Sequence, residues 1–517
     1  MEKKIVYYSE FGAKGDGVAE DFPAIAKCHE YANEHGCKVM ADAGAKYYIG
    51  ETGGVTAVVM TDVDWGDATF IVDDSNIPPE SPSRVTNIFT IEREHPMKTY
   101  DENSDVVKGM KASCPIKAFG TGNIGYAPGY PAMVILYDDN HSAYIRWGCH
   151  ATGKPNPQRE LVTVDKDGNI DKETVLLLDY NDVTKVEEIR IDDAPITVEG
   201  GTFVTVANNA PPVYTYYSRA IKINRSNVTV KNVVHKIEGE GESGAPYSGF
   251  IFSHGVNNLL CENLTLVSHK SYKDYYPDGT VHSIMGSYDI GGSLATNVCF
   301  KNCTQSNYYK DEEKGIAYNE TERWGIMGTN YCKNLSYIGC VLSRLDAHAG
   351  VFNVTIKDTT ISYIKLTGGG TAIIDNCKVI SAENHNLPLF ELRCDYGSTW
   401  NGNVIVKDTT FVNKCSEEPV RIASALWNNW NFGYVTHLPD VTLDNVTITS
   451  PSDKVYCFSG MLRDTTVKPD LAVLENGEVN LNPMDIEATI TVKNDKGYNY
   501  VGCVNDYVSE KITIKKV

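Results

Sequence analysis

From residue 225 onward the chain repeats one short pattern of alternating apolar and polar positions. Most copies begin with Asn and all end on Asn, Asp or Gly, the residue types that best tolerate a left-handed backbone conformation. The pattern therefore predicts short strands, each leading into a sharp corner. The eight copies span residues 227–232, 258–263, 297–302, 334–339, 353–358, 371–376, 403–408 and 439–445.

The same side of each strand is apolar through the corner. Counted from the last residue of each copy, positions −4, −2 and +1 are apolar or small, whereas −3 and −1 are mostly polar. This indicates a strand that bends while keeping one side inward. Successive corners are 31, 39, 37, 19, 18, 32 and 37 residues apart, which predicts a β-solenoid. The longer spacings fit either one coil with an extended loop or two coils. An antiparallel sandwich explains the alternation but not the recurring corner residue.

The N-terminal segment carries a family resemblance. It reads Glu10-Phe-Gly-Ala-Lys-Gly-Asp-Gly17, then Glu20-Asp21, an amphipathic stretch around 24–32, and Gly44-Ala-Lys-Tyr-Tyr-Ile49. These residues resemble the opening of the pectate-lyase-like superfamily. The resemblance covers roughly residues 5–75 and 200–450, counting the later repeats. It implies a right-handed parallel β-helix with an N-terminal capping helix, and carbohydrate as the ligand. The catalytic motifs of polygalacturonases and of pectate lyases of the first kind are absent, so no catalytic residue is transferred.

The pattern divides the chain into four predicted parts. Residues 1–76 form the cap and first coils, and 77–200 form a β-rich insertion with strand-like segments at 133–137 and 175–179. Residues 201–450 form the main β-helix, and 451–517 contribute terminal strands at 488–492 and 511–514. The fold prediction is an all-β, right-handed parallel β-helix with a capping helix and this insertion.

The composition and net charge limit the classes of partner that the protein is expected to bind. The net charge of −20 disfavours nucleic acid and anionic membranes, and weighs mildly against polyuronates unless a local basic cleft offsets it. The chain shows no membrane-length apolar run and no signal-peptide core, so we expect a cytoplasmic protein as written. It would be secreted or periplasmic if an export signal has been removed. The 14 cysteines show no metal-binding spacing, which favours reduced core thiols. A homo-oligomer is compatible with the sequence.

Three acids occupy similar positions relative to their corners. Asp289 and Asp395 lie thirteen residues before corners 302 and 408, and Asp346 lies twelve before 358, with His348 beside it. If neighbours are two coils apart, their backbones are separated by about 10 Å. Side chains leaning together would then reach the ~6.5–9.5 Å spacing of inverting glycosidases. We therefore predict Asp289, Asp346, His348 and Asp395 as catalytic residues.

Aromatic and polar side chains of the kind that bind sugars surround these acids. Planar rings beside arginine donors and carboxylates match the faces and hydroxyls of pyranoses. Arg344 with Asp346, and Arg393 with Asp395, could equally form structural ion pairs on a strand face. The predicted substrate-binding residues are Tyr247, Tyr288, Trp324, Asn330, Arg344, Glu391, Arg393, Tyr396 and Trp400.

The resulting functional prediction is a glycoside hydrolase. It would act on a neutral oligosaccharide or complex glycan through a carboxylate pair on the side of the β-helix, most simply with inversion. The first alternative is a polysaccharide lyase, in which Asp346 and Asp395 hold Ca²⁺ and Arg344 or His348 takes the proton. The second is a non-catalytic, tailspike-like glycan-binding module. No metal or cofactor is expected unless the lyase alternative holds.

Overall fold

The computed structural model describes residues 4–145, 155–212, 215–305, 325–381, 387–393, 396, 399–415, 420–425, 434–459, 484–503 and 506–517. Within them the chain winds as a right-handed parallel β-helix, which confirms the fold prediction. Its strands before the second sheet are β1 (Ile5–Tyr7), β2 (Asp16–Glu20), β3 (Lys38–Met40), β4 (Lys46–Ile49), β5 (Ala57–Val59), β6 (Val63–Asp64), β7 (Thr69–Asp73) and β8 (Phe89–Ile91).

A second, antiparallel sheet interrupts the β-helix, in the strand order β11-β10-β12-β9. Its strands are β9 (Lys98–Tyr100), β10 (Ala132–Ile145), β11 (Pro155–Val164) and β12 (Lys185–Arg190). The described helices are α1 (Phe22–His35), α2 (Asp105–Ala112) and the single turn α3 (Asp506–Ser509), and 3₁₀ turns occur at Tyr8–Phe11 and Pro82–Val85. The stretch predicted as one insertion, 77–200, thus contains both this sheet and strands of the β-helix.

The β-helix then continues to the C-terminus. Its strands up to the corner at 376 are β13 (Ile196–Glu199), β14 (Thr202–Val206), β15 (Ile221–Ile223), β16 (Val228–Lys231), β17 (Val234–Glu238), β18 (Ile251–Glu262), β19 (Thr265–Leu266), β22 (Tyr288–Lys301), β23 (Thr304–Gln305), β24 (Ile326–Asn330), β25 (Lys333–Ile338), β26 (Val341–Ala347), β27 (Val351–Lys357), β28 (Thr360–Leu366) and β29 (Gly368–Asp375). A hairpin of β20 (Tyr272–Tyr275) and β21 (Val281–Met285) protrudes between β19 and β22.

The C-terminal coils complete the same sheet. Their strands are β30 (Lys378–Ser381), β31 (Phe390–Leu392), β32 (Trp400–Lys407), β33 (Thr410–Asn413), β34 (Val420–Ala425), β36 (Asp440–Asp444), β37 (Thr447–Thr449), β38 (Lys454–Ser459), β40 (Ala488–Lys493), β41 (Asn499–Cys503) and β42 (Ile512–Lys516). The short strands β35 (Thr436–His437) and β39 (Met484–Asp485) pair separately. The predicted terminal strands at 488–492 and 511–514 are therefore confirmed.

Each sequence repeat contributes one coil. Val228 pairs with Leu259, Leu259 with Val298, Val298 with Leu335 and Leu335 with Val354, without a coil in between. The longer spacings between corners therefore come from loops and not from additional coils. The loop that contains the hairpin and the segment between β23 and β24 account for two of these longer spacings.

The corners adopt the predicted left-handed conformation. Asn232, Asn263 and Asn302 have φ between 53 and 58°, and their side chains form a ladder from coil to coil. Asn263 Nδ2 donates to Asn232 Oδ1 at 3.1 Å, and Asn302 Nδ2 donates to Asn263 Oδ1 at 3.3 Å. The Asn that begins many repeats is also left-handed and builds a second ladder, in which Asn258 Nδ2 donates to Asn227 Oδ1 at 2.7 Å. The sequence pattern had predicted the left-handed conformation for the final residue of each repeat only.

The interior is apolar along its whole length. The predicted inward residues are buried in one cluster that runs through the coils. At the N-terminal end this cluster is aromatic, with Trp65 packed against Phe70, Phe89 and Phe203, and α1 packs against the first coils. Ten of the twelve described cysteines are buried and all twelve are free thiols, as predicted.

The second sheet packs on the outer face of the coils that follow it in sequence. Met133, Ile135 and Leu161 form a cluster with Leu294 and Tyr331 of the β-helix. The strand predicted at 175–179 is wrong, because this segment is irregular. Two backbone amides of this segment donate hydrogen bonds to the Glu160 carboxylate instead of to a neighbouring strand. No described helix is long and apolar enough to cross a bilayer.

Candidate functional site

The outer side of β26 carries the predicted polar cluster. Leu345 and Ala347 point into the apolar core, so the alternation of the strand directs Arg344 and Asp346 to the opposite side. His348 follows directly after the strand. An outer face would ordinarily be solvated, yet Asp346 is 0% exposed and His348 is 1% exposed. Other parts of the chain therefore cover this face.

Two arginines neutralise Asp346. Arg344 donates to Oδ2 from Nε at 2.9 Å and from Nη2 at 2.6 Å, and Arg393 Nη1 donates to Oδ1 at 2.6 Å. His348 Nε2 lies 3.2 Å from the same Oδ1. Burial alone would raise the pKa of Asp346, but the charges of Arg344 and Arg393, with His348, outweigh it and hold this pKa well below its usual range. The carboxylate is therefore ionised, and both of its oxygens are occupied.

The next coils extend the cluster. In the sheet register, Asp346 pairs with Lys365, and Lys365 pairs with Glu391. Lys365 Nζ lies 2.9 Å from Glu391 Oε1, and the Tyr363 hydroxyl donates to Glu391 Oε2. The Arg344 guanidinium lies 5.2 Å from the centre of the Tyr363 ring. Acidic and basic side chains thus alternate from coil to coil, so each of these charges lies beside one of opposite sign.

Glycine leaves space for a ring on the other side of Asp346. Gly328 pairs with Asp346 in the adjacent strand. A Cβ at Gly328 would meet the Tyr288 ring at 2.3 Å, so a side chain there would displace this tyrosine. The absence of a side chain at Gly328 lets the half-buried Tyr288 ring pack directly against the strand next to the cluster.

Aromatic rings continue from this point along the outer face. Tyr288 lies 6.3 Å from His348, His348 is stacked on Tyr396 at 5.2 Å, and Tyr396 lies 5.3 Å from Tyr144 of the second sheet. The Tyr331 hydroxyl donates to that of Tyr144 at 3.3 Å. The row joins the charged cluster to the space beneath the second sheet.

A cavity of about 540 Å³ occupies this space. One wall belongs to the second sheet and its loops, and the other to loops and strand ends of the β-helix. Aromatic rings, hydroxyls and amides dominate the lining, which is typical of ligand pockets that hold polar ring compounds. The lining includes the side chains of Phe119, His141, Tyr144, Arg159, Glu160, Asp179, Tyr331, Tyr396, Thr399, Asn401, Tyr434 and His437.

The carboxylates of the cavity are engaged. Glu160 accepts hydrogen bonds from the backbone amides of Leu177 (2.7 Å) and Leu178 (2.8 Å) and lies 3.4 Å from the buried Lys333 Nζ. Burial raises the pKa of Glu160 despite Lys333. Asp179 pairs with Lys117 Nζ at 2.7 Å, and the hydrogen bonds from Lys117 and Ala118 lower its pKa. Glu160 also explains the irregular segment at 175–179, because its carboxylate takes the amides that a strand would use.

The structure brings most of the predicted residues together. Asp346, His348, Arg344, Arg393 and Glu391 form the charged cluster, and Tyr288 and Tyr396 flank it. Asn330 is half-buried at the end of β24, in the strand next to β26. Asp395 and Trp324 lie outside the described residues.

Counting back from the corners misplaces Asp289. The residue that aligns with Asp346 two coils away is Gly291, because the strands differ in bulges and loop length. The Asp289 carboxylate instead accepts hydrogen bonds from the buried Ser268 Oγ and Gln305 Nε2, both at 2.5 Å. Asp289 therefore does not share the lateral position of Asp346 that the count from the corners predicted.

Two predicted sugar contacts also lie elsewhere. Trp400 is 0% exposed and packs in the apolar core, where its Nε1 donates to the carbonyls of Gly370 and Asn403 at 3.2 Å. Tyr247 is buried near the N-terminal coils and is stacked on His269 at 3.8 Å. Both fill interior space and do not line the cavity.

The cavity residues of the second sheet were missed in the sequence analysis. Arg159 and Glu160 lie on β11, just before the apolar pair Leu161-Val162. Adjacent opposite charges directly before an apolar pair on a strand are a usable signal for burial. Nothing in the local pattern shows which coils the strand will cover. No group of three potential metal ligands occurs within the described ranges.

Comparison with known proteins adds similarity of architecture only. No family model matches the chain, and no curated protein matches it. The tailspike protein gp49 from Pseudomonas phage LKA1 is 12% identical, with a TM-score of 0.47, over 96% of this chain and 83% of its own. The Pseudomonas phage phi297 tailspike gp61 is 14% identical, with a TM-score of 0.45, over 97% and 80%. The Streptococcus pneumoniae adhesin PfbA is 12% identical, with a TM-score of 0.39, over 99% and 100%.

Proposed function

We propose that the protein binds an oligosaccharide or complex glycan in the cavity between the second sheet and the β-helix. The observation that carries this proposal is the cavity itself, whose volume of about 540 Å³ suits one to a few sugar rings. Its tyrosines offer flat apolar faces with polar edges, and its threonine, asparagine and histidine side chains can bond hydroxyls.

The charged cluster supports this binding site from beneath. Asp346 fixes Arg393, and the Arg393 guanidinium lies 5.1 Å from the centre of the Tyr396 ring, which lines the cavity. His348 is stacked on the same ring. A ring held on two sides loses little freedom when a ligand binds, which favours affinity. Asp346 is thus better suited to position the cavity wall than to donate a proton.

The proposal is tested by screening a glycan array and measuring affinities for the glycans that bind. Tyr144→Ala, in the cavity wall, should weaken binding about tenfold, which equals ~1.4 kcal/mol. Tyr275→Ala is the matched control, because Tyr275 is 54% exposed on the hairpin and does not line the cavity. Unchanged affinity in Tyr144→Ala, or no glycan bound by the wild-type protein, would contradict the proposal.

Hydrolysis of the bound glycan is the second candidate function. Two carboxylates line the same cavity, and their surroundings shift their pKa values in opposite directions, upward for Glu160 and downward for Asp179. Glycosidases use such a difference to separate the acid from the base. The Glu160 carboxylate would have to exchange an amide or Lys333 contact to act as the acid.

Mass analysis of glycans incubated with the protein tests this second candidate. Product release that Asp179→Asn abolishes, with binding retained, would assign the reaction to the cavity carboxylates. Loss in Asp395→Asn alone would support the acids predicted from the repeat. Unsaturated products that disappear when a chelator is added would indicate elimination and not hydrolysis. No product from any bound glycan would leave binding as the function.

A further inference from the structure

Arg159 differs from the other charged residues of the cavity. It lies on β11, and its guanidinium carbon is 4.6 Å from the centre of the Tyr331 ring, which belongs to the β-helix. Its side chain is half-buried and lines the cavity. This contact with the ring face holds the guanidinium beside the cavity and restricts the directions in which its donors can point.

In the part of the chain that the structure describes, no carboxylate forms an ion pair with Arg159. The nearby acids already have cations of their own: Glu160 has Lys333, Asp179 has Lys117, and Glu187 has Lys185 at 2.9 Å. Glu187 also accepts from the Tyr137 hydroxyl at 2.7 Å. Among the described residues of the cavity, Arg159 is thus a positive charge that forms no ion pair with a carboxylate.

Arginines elsewhere in the described structure mostly have acidic partners. Arg219 pairs with Asp74 at 2.5 Å and Arg225 pairs with Glu94 at 2.6 Å, and both arginines are buried. In an acidic protein with a net charge of −20, an arginine left without a carboxylate in a half-buried pocket is costly unless a ligand supplies the anion.

We propose that Arg159 binds the carboxylate of an acidic sugar, so that the ligand of the cavity is a glycan containing uronate or a similar acid. This inference rests on the proposed glycan binding and departs from the neutral ligand expected from net charge. The planar fork of donors matches a carboxylate in a bidentate geometry. The surrounding tyrosines, Thr399 and Asn401 would contact the ring and its hydroxyls. The single positive charge provides the local offset that an acidic protein needs to hold such a ligand.

The experiment compares matched ligands on the full-length protein. Acidic oligosaccharides selected from an array are measured beside the same oligosaccharides with their carboxyl groups reduced to alcohols, and beside sulfated ones. We expect Arg159→Gln to weaken binding of the carboxylate form about tenfold to a hundredfold and to leave the reduced form unchanged. Arg159→Lys keeps the charge without the fork, so its loss should be intermediate.

Arg190→Gln is the matched control. Arg190 lies in the same sheet over the Tyr130 ring at 4.9 Å, but it pairs with Asp193 at 3.4 Å and does not line the cavity. Its substitution should leave affinity for both ligand forms unchanged. Thermal unfolding of each variant shows whether Arg159→Gln retains the fold, and Arg159→Lys provides the test if it does not.

The outcomes separate this inference from the proposed function. If reduced and carboxylate forms bind equally, or if Arg159→Gln weakens both by the same factor, the inference is wrong while glycan binding stands. If sulfated glycans alone depend on Arg159, the anion is a sulfate and the carboxylate assignment fails. If no glycan of any kind binds, the proposed function itself fails.

Discussion

The two sides of strand β26 show two different ways of burying side chains. Leu345 points inward and Asp346 points outward, and both are 0% exposed. The inner side is covered by the coil to which it belongs and by its neighbours. On the outer side, Arg393 pairs with Asp346 and Tyr396 is stacked on His348, and Tyr396 packs in turn against Tyr144 of the second sheet.

This difference decides what kind of residue each side tolerates. The inner side excludes water from every coil, so apolar residues fill it and their burial supplies most of the stability. The outer side becomes buried only where a distant segment covers it, and its charges stay ionised because partners from other coils neutralise them. The function we propose depends on burial of the outer side by distant segments, which holds polar side chains rigid beside a cavity.

Asp346→Asn is expected to give the largest effect. It removes the buried charge that pairs with Arg344 and Arg393, and loss of one partner of a buried pair costs about 3–5 kcal/mol of unfolding free energy. Urea unfolding measures this loss. Asp193→Asn is the control, since that carboxylate is 85% exposed and should change stability by less than about 1 kcal/mol. A loss of the same small size in Asp346→Asn would mean that the outer side is effectively solvated.

The fold was predictable because the inner side repeats. Val228, Leu259 and Val298 occupy the same inward position in consecutive coils, and each corner residue adopts the conformation that its type tolerates. The inward apolar positions and the left-handed corners are local preferences that recur in every coil. Each copy of the pattern therefore strengthens the fold prediction made from the others. The sequence could not decide whether a long spacing meant a loop or a second coil, since loop length has no period.

The site was predictable only in part, for the opposite reason. Asp346, His348 and Arg393 were selected because their types fit sugar chemistry and because they lie at similar distances from their corners, and they do meet. Asp289 was misplaced because a bulge in β22 shifts the count from the corner. Arg159 was missed, because its position over Tyr331 depends on how the second sheet packs, which no repeat specifies.

The buried histidine of the capping helix should make stability more sensitive to mild acid than the Asp346 cluster does. Burial lowers the pKa of the interior His29 to about 3, whereas in the unfolded chain a histidine titrates near 6.5. The unfolded state therefore takes up a proton first, and stability falls as the pH drops from about 6.5 towards 3. The stabilisation from Asp346, whose pKa is lowered, is complete above about 3.9 and is lost only in stronger acid.

His29→Gln tests this difference. The variant should reduce the slope of unfolding free energy against pH between about 6 and 4 by roughly 1.4 kcal/mol per pH unit, the value for one proton. Urea unfolding at several pH values measures it. His35→Gln, at the exposed end of the same helix, should leave the slope unchanged. An unchanged slope in His29→Gln as well would show that this histidine is protonated in the folded protein.

The smallest expected effect concerns the corner, where the chain turns between strands of one coil. Asn263 has φ of 56°, and its amide bridges Asn232 and Asn302 in the exposed ladder. Asn263→Ala should cost about 1–2 kcal/mol, because a Cβ without a local hydrogen bond disfavours the left-handed conformation. Asn263→Gly removes the same ladder bonds but permits the backbone, so it should cost less. Equal losses in urea unfolding would assign the role of the corner asparagines to the ladder, and the repeat would then be selected by contacts between coils and not by backbone conformation.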